Sequence, residues 1–140
     1  MDKLTYKYEN LIKALATIEK TLVLFEKQKE NSSHDIEEYK IYRDSLIQRF
    51  EYSIDLFWKY LKLYIETTGG IEISGGPNVV IRESYSQKIL SEDETQTLLE
   101  MIKNRNKTSH IYVEEIAEMI SFKIPDYYKR LFSISYRLKP

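Results

Sequence analysis

The sequence holds only two histidines, and their surroundings differ. His110 ends an unbroken polar run, Lys103, Asn104, Arg105, Asn106, Lys107, Thr108 and Ser109, that directly follows an amphipathic segment. Residues five apart on a continuous α-helix point about 140° away from each other. Arg105 and His110 can therefore share a site only if the helix ends or bends between them. Asn106, Thr108 and Ser109 are residue types whose side chains compete for backbone hydrogen bonds and favour such a break. With that break, a guanidinium could hold a phosphate through charge-assisted, bidentate bonds. An imidazole has the intrinsic pKa to take a proton from a ribose 2′-hydroxyl near neutral pH. That pair suffices for metal-independent RNA cleavage. The same run also suits a plain polar helix end, with cations where the macrodipole favours them. His34 sits beside Ser33 and Asp35 in a capping segment and reads as a solvated residue.

Other chemistries find little footing. The chain has no cysteine, which removes disulfides, thiolate metal sites and a cysteine nucleophile. There is no HExxH, and one histidine without nearby cysteine gives no recognisable ligand set, so neither metal nor cofactor is expected. The glycines between Thr67 and Asn78 form neither GxGxxG nor a phosphate loop. The acidic groups Glu37–Glu38, Glu92–Asp93–Glu94 and Glu114–Glu115 read as solvated helix faces. A net charge of −1 gives no global field to draw in nucleic acid, so any RNA contact must use a local patch. No stretch approaches the roughly 18 apolar residues of a membrane span, and the N-terminus lacks a signal-peptide core. A cytoplasmic location with no membrane contact is the default expectation.

The elements that would position this run are helical. At 140 residues, with 42% hydrophobic and 31% charged, the chain suits one soluble globular domain, residues 1–140. Tyr8, Leu11, Leu15, Ile18, Leu22 and Phe25 recur at helical spacing, predicting a helix from near Leu4 to before Asn31. Ser32, Ser33 and Asp35 offer N-cap chemistry for a second helix carrying Ile47, Phe50, Ile54, Phe57, Leu61 and Tyr64, with Trp58 widening its stripe. Matching stripes and a short connection predict an antiparallel pair. Thr67–Asn78 is an extended crossover. A short third helix follows over Val79–Ile89, and Ser91 with Glu94 makes a capping box for a fourth that buries Leu98, Leu99 and Ile102. Glu114 and Glu115 open a fifth helix with Ile116 and Ile120. Pro125 suits the first position of a last helix bearing Leu131, Ile134 and Leu138. Most of the twelve tyrosines fit as core-edge residues with their polar tips at the boundary. The fold expected is all-α, an up-and-down four-helix bundle with extra short helices, five to six in all.

Arg105–Tyr112, RNKTSHIY, resembles the R-x4-H-x-Y form of the HEPN motif. The ordered context RFEYSIDLFWKYLKLYIE, a glycine-rich break, GPNVVIRESYSQKIL and TLLEMIKNRNKTSHIY is similar to nucleotidyltransferase substrate-binding proteins, a family that overlaps the HepT-like toxins. The resemblance covers about residues 1–138. It implies a HEPN-like homodimer with a minimal nucleotidyltransferase subunit as partner. It further implies an endoribonuclease toxin acting on RNA, with Arg105 and His110 as the catalytic pair. Asn106 and Lys107 would contact substrate, and Tyr112 would be the tyrosine AMPylated by the partner. The other function the resemblance allows is a non-catalytic substrate-binding subunit of a two-component nucleotidyltransferase. Three positions depart from the family pattern. Gly76-Pro77-Asn78 lacks a basic residue of the crossover, Thr95 stands near a usual tryptophan, and Val113 cannot cap.

Overall fold

The structure, a computed structural model, describes residues 1–30 and 35–140. Ser32, Ser33 and His34 lie outside the described residues. Five α-helices follow in order: α1 (Lys3–Glu30), α2 (Ile36–Gly69), α3 (Pro77–Ser86), α4 (Glu92–Arg105) and α5 (Glu114–Arg137). A single 3-10 turn, Thr108–His110, separates the last two.

The apolar stripes read from the sequence are the ones buried. Leu11, Leu15, Ile18 and Phe25 of α1 meet Ile47, Phe50, Ile54, Phe57 and Leu61 of α2 in one core. Tyr8 packs on Tyr60 and Phe25 on Tyr39, so α1 and α2 run antiparallel. The chain turns away from α2 at Gly70, whose φ of 65° is the left-handed conformation that glycine adopts without steric cost. Residues 71–76 cross to α3, which starts with Pro77 in its first turn and packs on α2 and α4. Contacts from Glu94 to Arg137 and from Asn104 to Tyr127 set α4 antiparallel to α5. With α3 in the crossover, α1, α2, α4 and α5 alternate up and down as expected.

Asp35 caps α2, its carboxylate accepting from the backbone N–H of Glu37 and Glu38. Ser91 and Glu94 form the predicted capping box of α4. Some tyrosines sit at the core edge with bonded hydroxyls, as Tyr60 donates to the Leu138 carbonyl at 2.6 Å and Tyr39 to Glu118 at 2.8 Å, whereas Tyr6, Tyr85, Tyr112 and Tyr136 are exposed. Tyr39 is pushed up to about 12 by partial burial and by that carboxylate.

Three expectations change. No new helix begins at Pro125, because α5 runs unbroken through it. Proline removes one ladder bond, to the Ser121 carbonyl, and costs about 3 kcal/mol in a helix interior. Ile120, Ile124, Tyr127 and Leu131 nonetheless continue one buried stripe across it, each contributing roughly 1.5–3 kcal/mol on burial. The third helix is shifted, opening at Pro77 inside the expected crossover because proline suits a first turn, and closing at Ser86 rather than Ile89. Gln87–Leu90 form a turn in which Lys88 has a φ of 63°. Finally, the acidic groups are not all solvated. Glu94 is buried and bonded to Arg137, whereas Glu114 remains exposed while accepting from Arg43.

Candidate functional site

The polar run begins where α4 is anchored from inside. Asn104 is buried and donates to the Tyr127 hydroxyl at 2.7 Å, which in turn donates to Glu100 at 2.5 Å. Burial and that carboxylate push the Tyr127 phenol well up, so it stays a neutral donor. These bonds fix the last turn of α4 on α5, and Arg105 is its final residue.

The break that the sequence suggested lies directly after it. Asn106 is the C-cap, with its N–H on the Ile102 carbonyl at 3.0 Å. Lys107, His110 and Val113 then donate backbone bonds to Asn104, Lys107 and His110 in succession, at 2.9–3.0 Å. Thr108 is the buried pin of this turn. Its hydroxyl lies 2.5 Å from Glu51 Oε2 and 2.8 Å from the Arg105 carbonyl. One proton serves the two acceptors, so the bond alternates or is shared. Ile111 packs on the core, while Asn106, Ser109, His110 and Tyr112 face solvent and Lys107 is half-buried. The next helix starts without a side-chain cap, since Val113 has no oxygen to offer.

Arg105 is already partnered. Its Nε and Nη2 donate to the two oxygens of Asp55, each at 2.9 Å, and Glu51 stands 3.6 Å from Nη2. Hydrogen bonding to Asp55 is the main reason its pKa is raised. This side-on fork leaves Nη1 free of a described partner. The guanidinium and its two carboxylates together carry one net negative charge. His110 takes a different neighbour, with Nδ1 3.2 Å from the Tyr112 hydroxyl and the rings edge to face. The structure therefore brings His110 and Tyr112 together. It holds Arg105 apart, against α2, with no described hydrogen bond between Arg105 and His110.

Asp55 and Glu51 are the residues that sequence reasoning missed. A trace of them is present, because two acids four apart lie just outside the buried stripe Phe50, Ile54 and Phe57. Beside them an open cleft of about 630 Å³ runs along α2 from Glu37 through Asp44 to Glu51 and reaches Ile111. With three carboxylates, Glu37, Asp44 and Glu51, against Lys40, it is a net negative cleft that disfavours polyanions.

At the entry to α5, Arg43 is almost fully buried. It donates to Glu114 at 2.6 Å, Glu118 at 3.1 Å and Asp44 at 3.0 Å. Burial works against its charge, but these three carboxylates outweigh it and raise its pKa. Among the described residues no group of three histidine or acidic side chains is arranged to hold a metal. No described helix is long and apolar enough to cross a membrane.

With this arrangement known, residues 6–140 match the model of the family described as nucleotidyltransferase substrate binding protein like. The chain belongs to that family. Among solved structures it is similar to a Thermus thermophilus protein at 31% identity and a TM-score of 0.69, over 88% of this chain and 99% of that one. It is also similar in fold to a Haemophilus influenzae protein whose structure was described as revealing the fold of a substrate binding domain of a nucleotidyltransferase. That likeness has 18% identity and a TM-score of 0.82, over 95% of this chain and 99% of the other. No curated protein matches the sequence.

Proposed function

We propose that this chain, with residues 1–140 acting as one unit, is the non-catalytic substrate-binding subunit of a two-component nucleotidyltransferase. The turn from Arg105 to Tyr112 is its nucleotide-phosphate contact. The observation that carries this reading is the separate partnering of Arg105 and His110. Asp55 holds two edges of the guanidinium, and the imidazole faces Tyr112. Cleavage needs the cation and the base on one phosphate at the same moment. Binding needs only donors within reach, and Arg105 Nη1, Lys107 and His110 supply them.

Tyr112 extends the proposal. It is 76% exposed, with its hydroxyl beside an imidazole nitrogen. When the partner presents a nucleoside triphosphate, the phenol oxygen attacks the α-phosphorus and pyrophosphate leaves. The phenolic proton passes to His110 Nδ1 and then to solvent. The tyrosine thereby becomes nucleotidylated, with no redox change and no further reagent.

The test mixes the purified chain with a minimal nucleotidyltransferase and ATP. A stable heterocomplex is expected, with an intact-mass gain of AMP that disappears in Tyr112→Phe and RNA left uncut. Absence of any complex would sink the partner assignment. One observation favours the cleaving alternative, a homodimeric ribonuclease: the helix break after Arg105 leaves His110 in solvent, open to a second copy. Metal-independent RNA cleavage that is lost in folded His110→Ala would replace the binding reading with that one.

A further inference from the structure

Away from the motif, the N-terminal end of α1 and the C-terminal third of α2 enclose a second polar cleft, of about 280 Å³. Four lysines line it, Lys3 and Lys7 from α1 and Lys59 and Lys62 from α2, together with Trp58. Among the described residues none of these four ammonium groups forms an ion pair. The one carboxylate in the lining, Glu66, is already accepting the backbone N–H of Ile73 at 3.0 Å. Lysines drawn from two helices repel one another, and Glu66 is the one carboxylate in the lining that offsets them, which leaves four cations against one anion. The chain as a whole carries a net charge of −1, so this is a local positive pole rather than a share of a basic protein. The aromatic in its wall is a half-buried indole, with Lys59 Nζ 5.8 Å from the ring centroid. Unpaired ammonium groups around a flat π surface match a ligand that is anionic at one end and planar at the other.

We infer that this cleft is a nucleotide-binding subsite, in which a nucleobase stacks on Trp58 and an adjoining phosphate is held by Lys3, Lys7, Lys59 and Lys62. The source of the nucleotide unit is either a free mononucleotide or one residue of a single strand. Lys62 follows Asp55 by seven residues on α2, which sets it on the same face about 10 Å further along the helix. A strand contacting Arg105 would thus have the lysine cleft in its path. The cleft itself stands apart from the motif, since its lining includes none of Arg105, His110 and Tyr112.

Trp58 is the only tryptophan in the chain, so intrinsic indole fluorescence reports this cleft and nothing else. The full chain is titrated at low salt with AMP, ATP, inorganic triphosphate and a short oligoadenylate. Saturable quenching by at least one nucleotide ligand is expected. Quenching by the mononucleotides assigns the free source, and quenching by the strand alone assigns the single-stranded one. Lys59→Glu with Lys62→Glu should weaken binding by about tenfold or more. The same pair should lower the salt dependence of strand binding, by roughly 0.7 log units per log unit of salt for each phosphate that is no longer neutralised. Trp58→Leu, followed by anisotropy of a labelled ligand, should lose the base-dependent part of the affinity. Lys27→Glu with Lys29→Glu, at the far end of α1, should leave the quenching unchanged, which separates the cleft from a general loss of positive charge. No quenching by any nucleotide, equal affinity in the double lysine variant, or inorganic triphosphate binding as tightly as ATP would each overturn the assignment.

Discussion

Arg43 and Arg105 both reach carboxylates on another helix and stand at opposite ends of the motif turn, yet Arg43 shows 2% of its side chain to solvent and Arg105 shows 30%. Arg43 has three acids around it and donates from all three nitrogens, so nothing is left for a ligand. Arg105 donates side-on to one aspartate and keeps an edge open. The same side chain thus serves as a clamp in one case and as an oriented cation in the other. Burial and the number of acids decide which. Removing the clamp should cost fold stability, and removing the cation should cost binding.

Arg43→Met is the severest test of that division. Breaking a buried ion pair costs about 3–5 kcal/mol when the orphaned charge stays buried. Here the orphaned acids are about half exposed, so a loss of roughly 2–3 kcal/mol in denaturant unfolding is expected. A loss indistinguishable from surface substitutions would end the clamp interpretation. Acid should narrow the gap. The hydrogen bond from Arg43 holds the Glu114 carboxyl below its ordinary value of 4.5. That stabilisation is present above the ordinary value and disappears as pH falls through the lowered one. The wild type should therefore lose stability more steeply on acidification than Arg43→Met does, and parallel curves would contradict this.

Asp55→Ala probes the other arginine. Arg105 stays partly hydrated, so a cost of about 1 kcal/mol is expected. Phosphate binding should strengthen, because a competing carboxylate has gone. Weaker binding in calorimetry would instead make Asp55 an essential positioning residue. Arg105→Lys should cost less than about 1 kcal/mol of stability, since the pair is partly exposed. It should still lose nucleotide-phosphate binding at the motif turn, read in a Lys59→Glu, Lys62→Glu background, because an ammonium cannot reproduce the planar fork. Retained binding would remove Arg105 from the site. The smallest effect is a gain: Val113→Thr supplies a hydroxyl to the uncapped start of α5 and should add about 0.5 kcal/mol in thermal unfolding.

The helices were legible because burial follows a local rule, the helical recurrence of Leu11, Leu15 and Ile18 or of Ile47, Phe50 and Ile54. The capping box was equally local, and so was the glycine-rich crossover, although α2 runs on to Gly69 inside the stretch expected to be extended. Pro125 misled for the same reason. Its preference for a first turn is a short-range statement, and a stripe of apolar contacts running through it prevailed. The break after Arg105 could be read from residue types. Its partners could not, because Asp55 lies fifty residues away and nothing near the motif points to it. The lysine cleft was hidden in the same way, with half of its cations contributed by the opposite end of an antiparallel pair.

Pro125 has one more consequence. It leaves a missing rung midway along α5, where the ladder transmits torsion least well. The segment before it is moored to Arg43 through Glu114 and Glu118, and the segment after it to Glu94 through Arg137. Each half of α5 therefore has its own side-chain anchor, and the buried stripe of Ile120, Ile124, Tyr127 and Leu131 spans the gap that the proline leaves in the backbone.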